Sequence, residues 1–489
     1  MMFNFFKRRA PITKKKPDAP IYLTNTLSGK KEEFAPPQIG PVKMYNCGPT
    51  VYDTQHIGNL SAFVFANLLR NMLEYNGLEV KQVINITDVG HLTSDSDEGE
   101  DKMKSALKRE GKEATLENMD ALAQKYTDIF WKDLEKLNID TAKIEFPRAS
   151  KYIDAQIAFI QTLHDKGYTY QIKDGVYFDT SLLKNYGELG NIDVEKQKEG
   201  ARTTVNKEKR HPSDFALWKF SKGIGWESPW GNGFPGWHIE CSAMIRSTLG
   251  EQIDIHTGGI EHIGVHHNNE IAQSESATGK KPLSRFWLHR AHIQLDGQKM
   301  AKSEGSVVYL SDIIEKEYSP LTFRYWLLQG HYRTPMNFTW DALDAASTAL
   351  TRLWNIRAKL PRETNEEPDI TWQKQFREKI NDDVDTAGAL AVLWDMTKDD
   401  TLEPGVFLAT LLDFDKVFMI GLGDMHESPK PESLEVEDLP KEIQKLLENR
   451  EKARKNKEWE KADALRSEIK SLGYEIVDTD NGVKITKIT

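Results

Sequence analysis

A strand–helix–strand pattern within about 45 residues near the start of the chain limits its fold more than any other feature. Val42 to Tyr45 and Val80 to Ile86 read as short strands. Between them, Leu60 to Tyr75 repeats Phe63, Ala66, Leu69, Met72 and Leu73 at helical spacing. Such a βαβ unit requires parallel strands and gathers ligands at their carboxyl ends. A second strand-rich stretch, Gln252 to Gly259 and Phe286 to Leu295, flanks a helix around Glu270 to Ser276. The two stretches predict one α/β parallel sheet of Rossmann type, split by an inserted segment that begins as helix. Beyond Ser311 the apolar spacing is helical, with few strand signals and no internal repeat.

A chain of 489 residues has room for several domains. The predicted order is a basic, disordered extension over 1–20, then the first half of the sheet over 21–115. A connective insertion over 116–225 follows, then the second half of the sheet over 226–310. A helical region over 311–424, a linker over 425–440 and a small module over 441–489 complete the chain. In that last module a sparse apolar stripe (Leu446, Leu447, Ala453, Ala462, Leu465, Ile469) suits one or two amphipathic helices. Asn481-Gly482 between apolar runs signals a hairpin. Two cysteines, Cys47 and Cys241, cannot build a disulfide scaffold. No apolar run reaches the ~18 residues of a membrane span, and no secretory leader is evident, so the chain is read as cytoplasmic. The net charge of −10 provides no global footprint for nucleic acid, so any such contact relies on local basic surfaces. Residues 441–470 are one, with ten Lys/Arg against seven Asp/Glu, although a solvated helix face has the same composition.

Three motifs carry chemistry. His56-Ile57-Gly58-Asn59 lies where the first strand turns into its helix, and helix N-termini favour phosphate. His56 and Asn59 can donate to phosphoryl oxygens, and Gly58 lets a purine approach the backbone; an ordinary turn or cap reads the same way. No P-loop occurs. Lys299-Met300-Ala301-Lys302-Ser303 follows an Asp296-Gly297 turn, and its two lysines can bracket a pyrophosphate or sit solvated on a surface loop. Finally, Cys47 closes the first strand, Cys241 lies within 236–244, and His266 and Glu270 share a helix face. These four form a plausible tetrahedral zinc set, with two inert buried cysteines as the alternative.

The first two motifs, on opposite halves of one split sheet, are similar to those of class I aminoacyl-tRNA synthetases. The stretches 46–53, 85–88, 228–231, 236–244 and 266–270, together with Lys461-Ala462-Asp463 and Arg466, resemble cysteinyl-tRNA synthetases from about Ile21 to the C-terminus. The resemblance implies a ligase that forms cysteinyl-adenylate from L-cysteine and ATP, with Mg2+, and transfers cysteine to the 3′ end of tRNA-Cys. It further implies one Zn2+ on Cys47, Cys241, His266 and Glu270, selecting the substrate thiolate. His56, Gly58, Asn59, Lys299 and Lys302 would bind ATP, and His56, Asn59 and the two lysines would be catalytic. Thr87, Trp237 and Glu261 would bind cysteine. Residues 311–424 would contact the tRNA stem and form a helical bundle that binds the anticodon, and 441–489 would be a C-terminal anticodon-recognition module. No membrane partner is implied, and a monomer is expected.

Several positions depart from the family pattern. Asn59 ends the first motif without a charge, Ala301 replaces a common Ser, and Glu261 stands where Asp is usual. An acidic, Ser-rich loop after Asp88, with His91, replaces a short Asp-rich run. Two rivals follow. A mycothiol-type cysteine ligase would share the core but lack residues 439–489. A weakened RNA- or zinc-binding paralogue would keep the fold without the activity.

Overall fold

The computed structural model describes residues 19–89, 102–192, 207–295, 297–299, 307–423, 436, 439–456, 458–479 and 482–487. The expectations for residues 1–18, the acidic loop with His91, most of the linker and Lys302 fall outside these.

Two compact units emerge: residues 1–350 with 363–420, and residues 351–362 with 421–489. The larger opens with a hairpin, β1 (Tyr22–Asn25) and β2 (Lys30–Glu33). Its centre is a parallel sheet of β3 (Val42–Asn46), β4 (Val80–Ile84), β5 (Ile144–Glu145), β10 (Ile253–Gly259) and β11 (Ser284–Arg290). Their spatial order is β11-β10-β3-β4-β5. Register is set by apolar pairs such as Ile255 beside Met44 and Tyr45 beside Val83. Helix α1 (Ile57–Tyr75) connects β3 to β4, and α6 (His266–Thr278) connects β10 to β11. These two crossovers lead away from the centre in opposite directions, so the order reverses between β3 and β10. Ligands of open α/β sheets bind at that reversal.

The insertion differs from expectation at both ends. Helices α2 (Lys102–Arg109) and α3 (Leu116–Lys136) precede β5, which pairs with β4 and so extends the central sheet into residues assigned to the insertion. A strand of two residues leaves no alternation to read. After α4 (Ile153–Asp165) come β6 (Thr169–Ile172), β7 (Gly175–Phe178), β8 (Phe215–Phe220) and β9 (Gly233–Pro235). These form an antiparallel sheet that extends past residue 225. Ile160 and Leu163 of α4 pack with Phe178, Phe215 and Leu217 of this sheet and with Ile239 of α5 (Trp237–Thr248).

The expected strand Phe286 to Leu295 is also two strands. β11 ends at Arg290, and β12 (Ile293–Leu295) joins β13 (Gln298–Lys299) and β14 (Met336–Phe338) in a separate sheet. Helices α7 (Leu310–Glu315), α8 (Pro320–Leu328), α9 (Trp340–Ala358), α10 (Ile370–Ile380), α11 (Thr386–Met396) and α12 (Pro404–Phe418) match the predicted helical region.

The smaller unit contains α13 (Lys441–Lys455), α14 (Trp459–Ser471) and a hairpin of β15 (Tyr474–Thr479) and β16 (Gly482–Lys487). Leu439, Ile443, Leu447, Ile469, Ile476 and Ile485 form its core. The ladder closes with Thr479 opposite Gly482, so Gly482 belongs to the strand, which starts one position earlier than the turn signal implied.

Candidate active site and metal centre

The carboxyl ends of the central strands open onto a cleft of about 490 Å3 lined by Cys47, His56, Gly58, Asn59, Thr87, Trp237, Cys241, Glu261, His266 and Arg290, among others. That volume suits a small-molecule site. The walls converge because β3 and β4 approach closely at their ends. A Cβ on Gly48 would lie 1.5 Å from the Asn85 carbonyl oxygen, and the Gly48 N–H donates to Asn85 Oδ1 at 2.8 Å. Only glycine permits that approach.

His56 caps α1. Its Nδ1 accepts the Asn59 N–H at 3.2 Å, and the Ile57 N–H donates to Val308 O at 2.9 Å. With Nδ1 accepting, Nε2 carries the proton of the neutral ring and can donate. His56, Gly58 and Asn59 therefore present one polar edge at a helix N-terminus. Lys299 pairs through its backbone with Gln294 in β13.

At the ends of β3, α5 and α6, Cys47 Sγ, Cys241 Sγ and ligand atoms of His266 and Glu270 lie within 4.8 Å of one another. His266 Nε2 is 3.0 Å from Glu270 Oε1 and 3.5 Å from Cys241 Sγ. Two sulfurs, one imidazole and one carboxylate match zinc's preferences. Cys47, His256, His267 and Glu270 form a second such group, sharing two members with the first. Of the two groups, the first has three members lining the cleft; His256 and His267 are wholly buried.

Without a metal, the electrostatics set an ionised Cys241 and Glu270 against a protonated His266, with Cys47 a neutral thiol. The hydrogen bond with Cys47, and then the one with His266, lower the Cys241 thiol from 9.0 to about 6 despite burial, while burial pushes Cys47 up. Burial opposes charge on both Glu270 and His266, yet their neighbours prevail. His256 and then His266 lower Glu270 to about 2, and Cys241 and then Glu270 raise His266 to about 10.

The expected cysteine-site residues are held from behind. Thr87 Oγ1 donates to Glu240 Oε2 at 3.0 Å and accepts from Asn85 Nδ2 at 3.1 Å. The Trp237 ring lies 4.3 Å from that of His266. Glu261 is exposed, with Oε2 3.4 Å from His292 Nδ1. Sequence reasoning missed the residues around these. His256 Nε2 contacts Glu270 Oε2 at 2.9 Å, His267 Nε2 contacts Cys47 Sγ at 3.1 Å, and His267 Nδ1 reaches His289 Nε2 at 2.8 Å. His238 Nδ1 meets His266 Nδ1 at 2.9 Å. The adjacent histidines at 266 and 267 were the available signal.

Comparison with known proteins agrees with this architecture. Residues 33–348 match the family described as tRNA synthetases class I (C) catalytic domain, and residues 436–484 match the cysteinyl-tRNA ligase anticodon binding domain. Cysteine–tRNA ligase 1 of Burkholderia lata is 43% identical over 472 residues, 95% of this chain and 97% of that protein. The chain belongs to the cysteine–tRNA ligase family. The cysteine–tRNA ligase of Treponema denticola is 40% identical over 488 residues, 94% of this chain and 98% of its own. Among solved structures, methionyl-tRNA synthetase of Mycobacterium tuberculosis in complex with methionyl-adenylate superposes with a TM-score of 0.54 at 15% identity. It covers 78% of this chain and 90% of that one, a likeness of fold alone. The Rossmann-type sheet expected of a cysteine–tRNA ligase, split by an insertion, is therefore the fold of a class I synthetase.

Proposed function

We propose that the chain activates L-cysteine with ATP to cysteinyl-adenylate, releasing pyrophosphate, and transfers cysteine to the 3′ end of tRNA-Cys. One observation carries this reading: the Cys47–Cys241–His266–Glu270 donor set opens into the same cleft as the His56–Asn59 helix start. Family membership supports the acceptor. The match of residues 436–484 to an anticodon binding domain favours tRNA over a mycothiol-type acceptor, whose ligases lack that module.

Adenylate formation needs no protein nucleophile. The substrate carboxylate attacks the α-phosphorus, so the protein's part is positioning and charge stabilisation. In this reading His56 donates through Nε2 to a phosphoryl oxygen, Asn59 adds a neutral donor, and Gly58 admits the purine. Lys299 and Lys302 neutralise charge on the departing pyrophosphate, with Mg2+ accompanying the nucleotide. Thr87 and Trp237 shape the cysteine pocket, and Glu261 faces the ammonium group. A zinc ion held by Cys47, Cys241, His266 and Glu270 supplies a soft Lewis acid that favours a thiolate over serine's hydroxyl. The enzyme is read as a cytoplasmic monomer. Both cysteines are free thiols, and among the described residues no helix is long and apolar enough to cross a membrane.

The test is cysteine-dependent ATP–pyrophosphate exchange followed by transfer of labelled cysteine to bulk tRNA, each with and without a zinc chelator. Both activities should require the metal and reject serine. Exchange that persists without metal, or runs equally with serine, would remove the zinc role. Exchange without tRNA charging would favour the mycothiol-type ligase, and no exchange the inactive paralogue.

A further inference from the structure

Arg290 ends β11 at the carboxyl edge of the central sheet and lines the cleft with His56, Gly58 and Asn59. It is 4% exposed, yet the fold leaves most of its hydrogen-bonding capacity unused. Nη1 donates to the Tyr332 carbonyl at 3.3 Å, and Nη2 reaches the Met336 thioether, a weak acceptor, at 3.7 Å. Nε is buried with no partner among the described residues. Among the described residues no carboxylate forms an ion pair with it. Burial alone lowers the guanidinium to about 10, which leaves it charged at neutral pH.

A buried cation without a counter-charge is strongly destabilising unless an anion completes it. Guanidinium is the side chain whose planar fork fits phosphate oxygens. Two anion sources can enter this cleft, the triphosphate of ATP and the phosphates at the tRNA 3′ end. Position favours the first. Arg290 and Ser61, the fifth residue of α1, both line the cleft, and β12 and β13 run from just beyond Arg290 to Lys299. We propose that Arg290 is a phosphate-binding residue of the nucleotide site, offering ATP the N–H groups that the fold leaves open. This rests on the adenylate-forming activity proposed above.

The test compares full-length wild type with R290Q and R290K in cysteine-dependent ATP–pyrophosphate exchange. Absence of exchange in the wild type would defeat the adenylate-forming reading itself, independently of Arg290. Given exchange, R290Q should raise the KM for ATP by about 30-fold, the loss of a charged hydrogen bond. Inhibition by adenosine, which lacks phosphates, and the KM for cysteine should stay within about twofold. R290K, which keeps the charge but not the fork, should fall between and carries the same comparison if R290Q melts early. Unchanged ATP affinity in the folded variants would overturn the proposal. Equal weakening of ATP and adenosine would reduce Arg290 to a packing role. Normal exchange with slowed transfer from preformed adenylate would reassign it to a tRNA phosphate.

Discussion

At the scale of single residues, the four side chains proposed to hold zinc form one coupled cluster, and truncating one should disable the rest. Cys241→Ala removes the sulfur held lowest in pKa, so the purified variant should lose its zinc by elemental analysis. Its KM for cysteine should rise by about 100-fold while the weak use of serine barely changes. Wild-type cysteine affinity in a metal-free variant would contradict this. The His266–Glu270 pair also makes the metal-free protein pH-dependent at both extremes. Glu270 is lowered from 4.5 to about 2, so its contribution is complete above about 4.5 and is lost as pH falls through about 2. His266 is raised from 6.5 to about 10, so its contribution is complete below about 6.5 and is lost as pH climbs through about 10. Melting temperatures of chelated protein across pH should fall on both sides of that window, and Glu270→Gln should flatten the acid side. The cluster of Cys47, Cys241, His266 and Glu270 was legible only because the motifs around these residues resemble a known family. Two lone cysteines and a His/Glu pair could equally be core residues, and His238, His256 and His289 offer no spacing at all. What unites them is sheet topology, since β10, α5, α6 and β11 all converge at one edge.

At the scale of elements, the close approach of β3 to β4 determines the cleft's floor. Gly48→Ala places a methyl group against the Asn85 carbonyl, a backbone atom that cannot rotate away. The strands must part, displacing Cys47 and Thr87 from either side. We expect a loss of about 3 kcal/mol, read by denaturant unfolding, together with reduced zinc content. Unchanged stability would mean that the strand ends are more pliable than this packing implies. The first βαβ unit was legible because α1 repeats apolar residues over nineteen positions between two strands whose carboxyl ends are buried. The antiparallel sheet of the insertion was not. β6 and β7 have four residues each, and β9 has three, so their alternation never accumulates. β11 and β12 read as one strand because Ala291, Ile293 and Leu295 alternate with polar residues straight across the break, although the chain leaves one sheet there and enters another.

At the scale of the whole molecule, the described residues assigned to chemistry all belong to the larger unit, and the smaller unit has its own core of six apolar side chains. If residues 436–484 serve tRNA recognition, the two half-reactions divide along that line, because adenylate formation involves only small molecules. A chain truncated after Gly423 should keep cysteine-dependent pyrophosphate exchange within about twofold, since it retains the cleft, the donor set and β13. Its kcat/KM for charging tRNA should fall by about 100-fold or more, equivalent to about 3 kcal/mol of lost acceptor binding. The loss should appear mainly in the KM for tRNA, because the missing contacts are made equally before and during transfer. The basic balance of residues 441–470 adds a salt signature. Raising ionic strength should weaken charging by the full chain more steeply than charging by the truncated one, because fewer counterions are released without the module. Equal salt slopes would mean that the module recognises tRNA without its basic side chains. Loss of exchange on truncation would mean that the larger unit depends on the smaller for its own stability.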